Sequence, residues 1–347
     1  MPVSGRQTAA LDDRDGRFDL GLVADIGATH ARFALIDDHG RLGPVTLLAT
    51  ADHPGLEDAI GAFLAMRRLG APNVGRLRAA VGLAAPVTGD RVTMTNHPWS
   101  FSIAEVRRRT GLECLIVVND LEAVALALPD LPDEGCEAIG AVPPVADRPK
   151  AVLGVGTGFG AAYLVPAGPG DSLAWRAFAG EAGHATLAPH DVLEAGLLSR
   201  LANDPGAPTI EQALSGPGLV HLYRALVPQT GDAGGSSPRT PRAVVEAAKS
   251  GGDAAAAQTL QIFSALLGGV AGDLALCYGA HGGIYLTGGV LAHMGALFDR
   301  TVFRARFDDR GQMRAYLAGV PTYLIRTEYP ALVGLARLLA NSSGINP

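Results

Sequence analysis

Asn119-Asp120 follows the apolar run Leu115-Ile116-Val117-Val118. A carboxylate at the end of a strand and the start of a helix projects into any cleft there. It can take the proton of a substrate hydroxyl, work worth about 10²–10⁴ in rate. Asn and Asp are also favoured helix N-caps, so Asp120 can equally serve as a cap on a helix over 121–128. Glu181-Ala182-Gly183-His184 sets a carboxylate and an imidazole three residues apart in a glycine-containing turn. Such a pair can bracket neighbouring hydroxyls of a small polar ligand. Glu211 opens another short helix, ahead of Ser215-Gly216-Pro217-Gly218. A single His or Glu held by bonds within the fold is the competing reading.

Two turns suit phosphate oxygens. Gly27-Ala28-Thr29 and Gly156-Thr157-Gly158 each follow an apolar strand and gather backbone N–H groups and a hydroxyl into one small space. An ordinary hairpin accounts for either turn alone. Asp25, beside the first turn, can hold Mg²⁺ directly or through water. It can also hydrogen-bond its own turn. Gly288-Gly289 ends a strand that Gly282-Gly283 begins. Paired glycines there admit a flat base or a ribose to the backbone, or a closely packed helix.

Other chemistries lack their residues. Phe159 stands where the last glycine of a dinucleotide fingerprint belongs, and the turn leads into a strand rather than a helix. Only Lys150 and Lys249 are lysines among the 28 basic residues, and neither follows a Walker-type glycine loop or sits in a protein-kinase context. No H-E-x-x-H or G-x-S-x-G occurs. The three cysteines are odd in number and far apart, which fits a reduced, cytoplasmic protein without a disulfide framework. A net charge of -6 argues against a nucleic-acid partner, which needs a basic face. Residues 1–20 carry four Asp and three Arg and read as no secretory signal. The most apolar long segment, 263–277, is interrupted by Asp273, so no membrane partner is expected.

The elements that must position these residues follow from apolar runs and their punctuation. Strands are expected over 20–25, 31–36, 45–50, 77–86, 115–118, 151–155, 161–165, 283–287 and 320–326. Helices are expected over 54–69, 121–128, 191–203, 210–214, 218–227, 241–249, 254–278 and 330–340, with one more after Gly289. Ser102-x-x-Glu105 is a capping box that opens a short helix ended by Gly111. Residues 228–240 read as a surface loop by composition. One internal echo stands out. Residues 25–36 and 154–165 align without gaps, each a strand end, a Gly/Thr turn and an apolar strand. Two such hairpins suggest two related lobes; chance is the alternative.

Taken in order, these motifs resemble the bacterial glucokinase family of the hexokinase/actin-like superfamily. Residues 25–32 (DIGATHAR) are similar to the family's D-[IV]-G-G-T-N-A-R first phosphate loop, and 85–101 to its long sugar-domain hairpin. Residues 118–124 (VNDLEAV) resemble the strand with the catalytic N-D, and 154–160 (GVGTGFG) the second phosphate loop. Residues 180–184, 211–220 and 282–289 resemble its sugar-binding and adenosine motifs. The sequence departs from the pattern at Ala28, His30 and Ala182, where the family has Gly, Asn and Gly.

The resemblance implies an α/β fold of two ribonuclease-H-like, actin-like ATPase lobes around a central cleft. The smaller lobe would hold 1–130 plus 327–347 and the larger 131–326. It implies ATP-dependent phosphorylation of glucose at the 6-hydroxyl, with Asp120 as base. Asn119, Glu181, His184 and Glu211 would bind the other hydroxyls. Asp25, Gly27, Thr29, Gly156, Thr157 and Gly158 would handle the ATP phosphates, with Mg²⁺ at Asp25. Gly288 and Gly289 would lie beside the nucleoside. It further implies a cytoplasmic homodimer. The absence of the repressor/kinase family's cysteine motif argues against a structural zinc. Open alternatives are a same-fold kinase for another hexose or an amino sugar, and a non-catalytic sugar-sensing regulator. An actin-like filament or chaperone ATPase should lack the pairing of N-D with E-x-G-H.

Overall fold

A computed structural model describes residues 21–341, apart from 38, 70–73, 169–174, 202–205 and 228–239. The loop expected over 228–240 therefore lies, except for Thr240, outside the described residues. The chain divides into two compact units, Met1–Asp130 with Tyr329–Pro347, and Leu131–Glu328.

The first unit is built on a five-stranded sheet of order β3-β2-β1-β4-β7. Its strands are β1 (Gly21–Ile26), β2 (His30–Ile36), β3 (Thr46–Ala49), β4 (Arg78–Leu83) and β7 (Cys114–Asn119). β5 (Arg91–Thr93) and β6 (Ser100–Ser102) form a separate hairpin. β1 pairs antiparallel with β2 and parallel with β4, which pairs parallel with β7. Strands covered on both faces read as continuous apolar runs, as β1 and β4 do. Leu22, Ala24 and Ile26 join one core with Leu56, Ile60 and Phe63 of the helix Leu56–Met66. Helices Asp120–Ala127 and Pro330–Asn341 pack on each other beside β1 and β4. Gly334 permits their closeness: a Cβ there would overlap the Ala123 carbonyl.

The second unit carries a six-stranded sheet of order β11-β10-β9-β12-β13-β8. The strands are β8 (Cys136–Ala138), β9 (Lys150–Val155), β10 (Phe159–Pro166), β11 (Trp175–Gly180), β12 (Gly283–Thr287) and β13 (Thr322–Ile325). β9 pairs antiparallel with β10 and parallel with β12, and β12 parallel with β13. Without its edge strand β8, this is the strand order and sense of the first sheet. The echo between residues 25–36 and 154–165 is thus a repeat of topology, with one ribonuclease-H-like sheet in each unit. Ala151, Leu153 and Val155 face a core shared with helices Gly216–Leu226, Pro241–Lys249, Ala254–Tyr278 and Arg300–Asp308. Helix Ala254–Tyr278 has the length and hydropathy of a membrane span. Phe263, Leu266, Leu267 and Val270 within it are core residues of this unit.

The expected elements differ mainly at their ends, while β8, β11 and the helices Arg300–Asp308 and Arg314–Ala318 have no counterpart among the expectations. β3 stops at Ala49 because Thr50 turns into a 3-10 helix, Thr50–Asp52. The helix expected from Gly218 starts at Gly216, with the Ser215 hydroxyl accepting the Gly218 N–H at 3.0 Å as its N-cap. β8 has three residues, too few to show an alternating pattern.

Candidate active site

In the first unit the candidate side chains gather at the carboxyl ends of parallel strands, the usual ligand edge of an open α/β sheet. Asp25, Gly82 and Val118 lie in one register row across β1, β4 and β7. Neighbouring strands are about 4.8 Å apart, so this row spans about 10 Å. A side chain on Gly82 would touch Ala123 and the Asp120 Cα, so Asp120 and Asp25 occupy the same face of the sheet.

Asn119 ends β7 and caps the next helix. Its Oδ1 accepts the Leu121 and Glu122 N–H groups at 3.0 and 3.3 Å. Its Nδ2 donates to the Ala85 carbonyl at 3.3 Å, which leaves one amide N–H for a ligand. Asp120 is the first helical residue, half-buried, and its Oδ1 accepts the Leu121 N–H at 2.8 Å. The N-cap position therefore belongs to Asn119, and capping alone does not account for a carboxylate at 120.

The first turn is braced by a residue the motifs do not include. Gly27 N–H donates to the His30 carbonyl at 3.0 Å. Thr50, fully buried, donates its hydroxyl to the Gly27 carbonyl at 2.9 Å and its N–H to the Thr29 carbonyl at 3.1 Å. Thr29 and His30 remain exposed. The only sequence signal for Thr50 is a threonine where an apolar strand should continue. Asp25 pairs across the hairpin with Arg32, whose Nη1 donates to Oδ2 at 3.2 Å. Burial pushes the Asp25 carboxyl above its ordinary range, and the Arg32 guanidinium opposes that rise.

In the second unit the turn Gly156–Gly158 and the pair Gly288-Gly289 sit at the ends of adjacent parallel strands, where Gly154 pairs with Thr287. Gly288 has φ +114°, and a Cβ there would strike the Val155 backbone, so only glycine fits. Gly216 N–H donates to the Gly156 carbonyl at 2.8 Å, bringing the positive end of an eleven-residue helix to this turn. Beside it opens a cavity of about 640 Å³, lined by Gly156, Thr157, Pro217, Val220, Pro241, Gly289 and Val290, with His221, Arg224, Arg242 and His293 as its ionisable residues. Gly156, Thr157 and Gly289 are among the expected residues; the four ionisable ones are not, because they come from helices far apart in the chain.

Glu181 and His184 bound a 3-10 turn, Ala182–His184, with His184 N–H donating to the Glu181 carbonyl at 3.1 Å. Residues three apart eclipse in such a turn, so both exposed side chains share a face. The bridge Thr186–Thr209 and the bond from Ile210 N–H to the Ala185 carbonyl at 2.9 Å tie this turn to the short helix carrying Glu211. Glu211 Oε2 accepts the Phe159 N–H at 2.8 Å, directly after the glycine turn. The second unit thus brings together all its expected residues, in two neighbouring groups joined by Glu211.

A family model described as Glucokinase matches residues 22–342. The chain belongs to the glucokinase family. It is 43% identical over 320 residues to a glucokinase of Chromobacterium violaceum, covering 92% of this chain and 89% of that one. It is 44% identical over 331 residues to a glucokinase of Aromatoleum aromaticum, covering 92% and 95%. The crystal structure of a glucokinase from an Antarctic psychrotroph superimposes with a TM-score of 0.80 at 34% identity, over 93% of this chain and 99% of that one. A Balamuthia mandrillaris glucokinase in complex with glucose has the same fold, with a TM-score of 0.75 at 20% identity.

Proposed function

We propose that the protein is a glucokinase, transferring the terminal phosphoryl group of ATP to the 6-hydroxyl of glucose. The observation that carries this is the identity of 43–44% to curated glucokinases across 92% of the chain. Asp120 takes the hydroxyl proton as the bond to phosphorus forms. Asn119 holds a neighbouring hydroxyl with its remaining amide N–H. Glu181, His184 and Glu211 bind the other hydroxyls, so that a sugar lacking one leaves a polar group unpaired at about 1–3 kcal/mol. The two glycine turns hold the ATP phosphates, and Gly288-Gly289 with the adjoining cavity takes the nucleoside. Phosphoryl transfer needs mainly positioning and charge neutralisation, and these residues supply both.

Mg²⁺ fits the residues present. Among the described residues no group of three or more His, Cys, Asp or Glu forms a metal cage. Mg²⁺ with a phosphate substrate needs only one or two carboxylates beside water and phosphate oxygens. Asp25 would hold it, and it would supply charge neutralisation at the phosphates. We further infer a cytoplasmic homodimer without nucleic-acid or membrane partners, consistent with the acidic net charge. Sedimentation of the purified protein tests the dimer.

The variant Asp120→Asn keeps size and cannot take a proton. Its kcat should fall at least about 10²-fold with glucose binding largely kept. A near-normal kcat would show that Asp120 serves the helix only. A coupled assay over a panel of sugars and phosphoryl donors tests the substrate assignment, with glucose and ATP expected to give the highest kcat/KM.

A further inference from the structure

The carboxylate of Glu211 stands at a junction of three segments. Its Oε2 accepts the N–H of Phe159, the residue that follows Gly158 and starts β10. A side chain on Gly158 would run into that same oxygen. A side chain on Gly183 would strike the Phe159 carbonyl and come within 3.4 Å of Oε2. Both glycines are therefore needed for the carboxylate to reach between the two turns. Glu211 is itself fixed from behind, because Ile210 is buried and its N–H is held by Ala185.

A negative charge beside a phosphate-binding turn opposes phosphate by simple electrostatics, so binding phosphate is not its task. A carboxylate bonded to a backbone N–H makes a strong, charge-assisted hydrogen bond that fixes the turn's geometry. We propose that Glu211 is a shared positioning residue: one carboxylate holds the turn Gly156–Gly158 through Phe159 and meets the sugar, so that sugar and nucleotide strengthen each other's binding. The proposal rests on the reading of Glu211 as a sugar ligand and of this turn as a phosphate loop. By linkage the coupling is reciprocal, and such couplings are typically about 5- to 150-fold.

Calorimetric titration of a non-hydrolysable ATP analogue, with and without saturating glucose, tests it. In the parent protein glucose should tighten the analogue at least about fivefold. Glu211→Ala should weaken the analogue without sugar and abolish the coupling. Glu211→Gln keeps an oxygen for the Phe159 N–H and should restore the sugar-free affinity. His184→Ala should weaken glucose yet keep full coupling once glucose saturates. If Glu211→Ala leaves both the sugar-free affinity and the coupling unchanged, Glu211 is a sugar ligand only and the proposal fails. If instead it leaves glucose affinity unchanged while the analogue weakens, the sugar reading of Glu211 fails, and the shared role with it. Gly158→Ala displaces the carboxylate without deleting it, and serves should Glu211→Ala not fold. Loss of coupling in Gly158→Ala supports the proposal, and retained coupling overturns it.

Discussion

At the scale of single residues, Asp25, the proposed Mg²⁺ ligand, allows its proposed role and its effect on stability to be tested apart. Burial raises its folded-state pKa above the unfolded value, with Arg32 opposing. The folded chain then holds the proton more tightly, so stability falls as the pH rises from the ordinary carboxylate range through the raised value. Above the ordinary carboxylate range the buried charge of Asp25 is therefore a cost to the fold. Asp25→Asn removes that cost, and should melt at the parent's temperature or above at pH 7 while losing most kinase activity. A lower melting temperature with activity kept would mean that Asp25 only partners Arg32. Thr50 makes a complementary point. Its two bonds to the turn Gly27–Thr29, proposed to hold phosphate, come from a residue with no motif around it, and only the curl of the chain after β3 exposes its role.

At the scale of elements, the helix that begins with Asp120 depends on the last helix of the chain. Pro330–Asn341 closes on Asp120–Ala127 at Gly334, where a Cβ would overlap the Ala123 carbonyl. Overpacking of this kind typically costs about 1–3 kcal/mol. Gly334→Ala should therefore lower stability by that amount in urea unfolding and reduce kcat by tilting Asp120, although residue 334 belongs to no binding motif. Unchanged unfolding would show that the two helices separate without penalty.

At the scale of the whole molecule, two units carry separate cores around sheets of the same order. The proposed sugar ligands are divided between them, Asn119 and Asp120 in one and Glu181, His184 and Glu211 in the other. A ligand that binds only the folded state stabilises by about 2.7 kcal/mol at a hundredfold excess over Kd. Glucose at that excess should raise the melting temperature by several degrees. A melt indifferent to saturating glucose would remove glucose as the substrate.

Most strands and helices that carry the site are legible in the sequence, because apolar runs ending in glycine turns are local signals; β11, which leads into Glu181, is mostly exposed and gives no such signal. The helix Ala254–Tyr278 appears with the bounds expected for it, and in the structure the Asp253 side chain caps it. Asn119-Asp120, Glu181, His184 and Glu211 stand out as candidates in the sequence because each lies at or beside the end of an element, where side chains leave the core. The repeat of hairpins was legible too, but as a suggestion with chance as its rival. That it extends to a shared strand order is visible only in the folded sheets, since parallel neighbours such as β9 and β12 lie far apart in the chain. The tertiary structure also decided that Asn119 rather than Asp120 is the helix cap, that Thr50 braces the first turn, and that Glu211 reaches the second. The Thr50 and Glu211 bonds join segments 23 and 52 residues apart and are set by packing; the Asn119 cap is local, and adjacent Asn and Asp, both favoured caps, leave it open in the sequence.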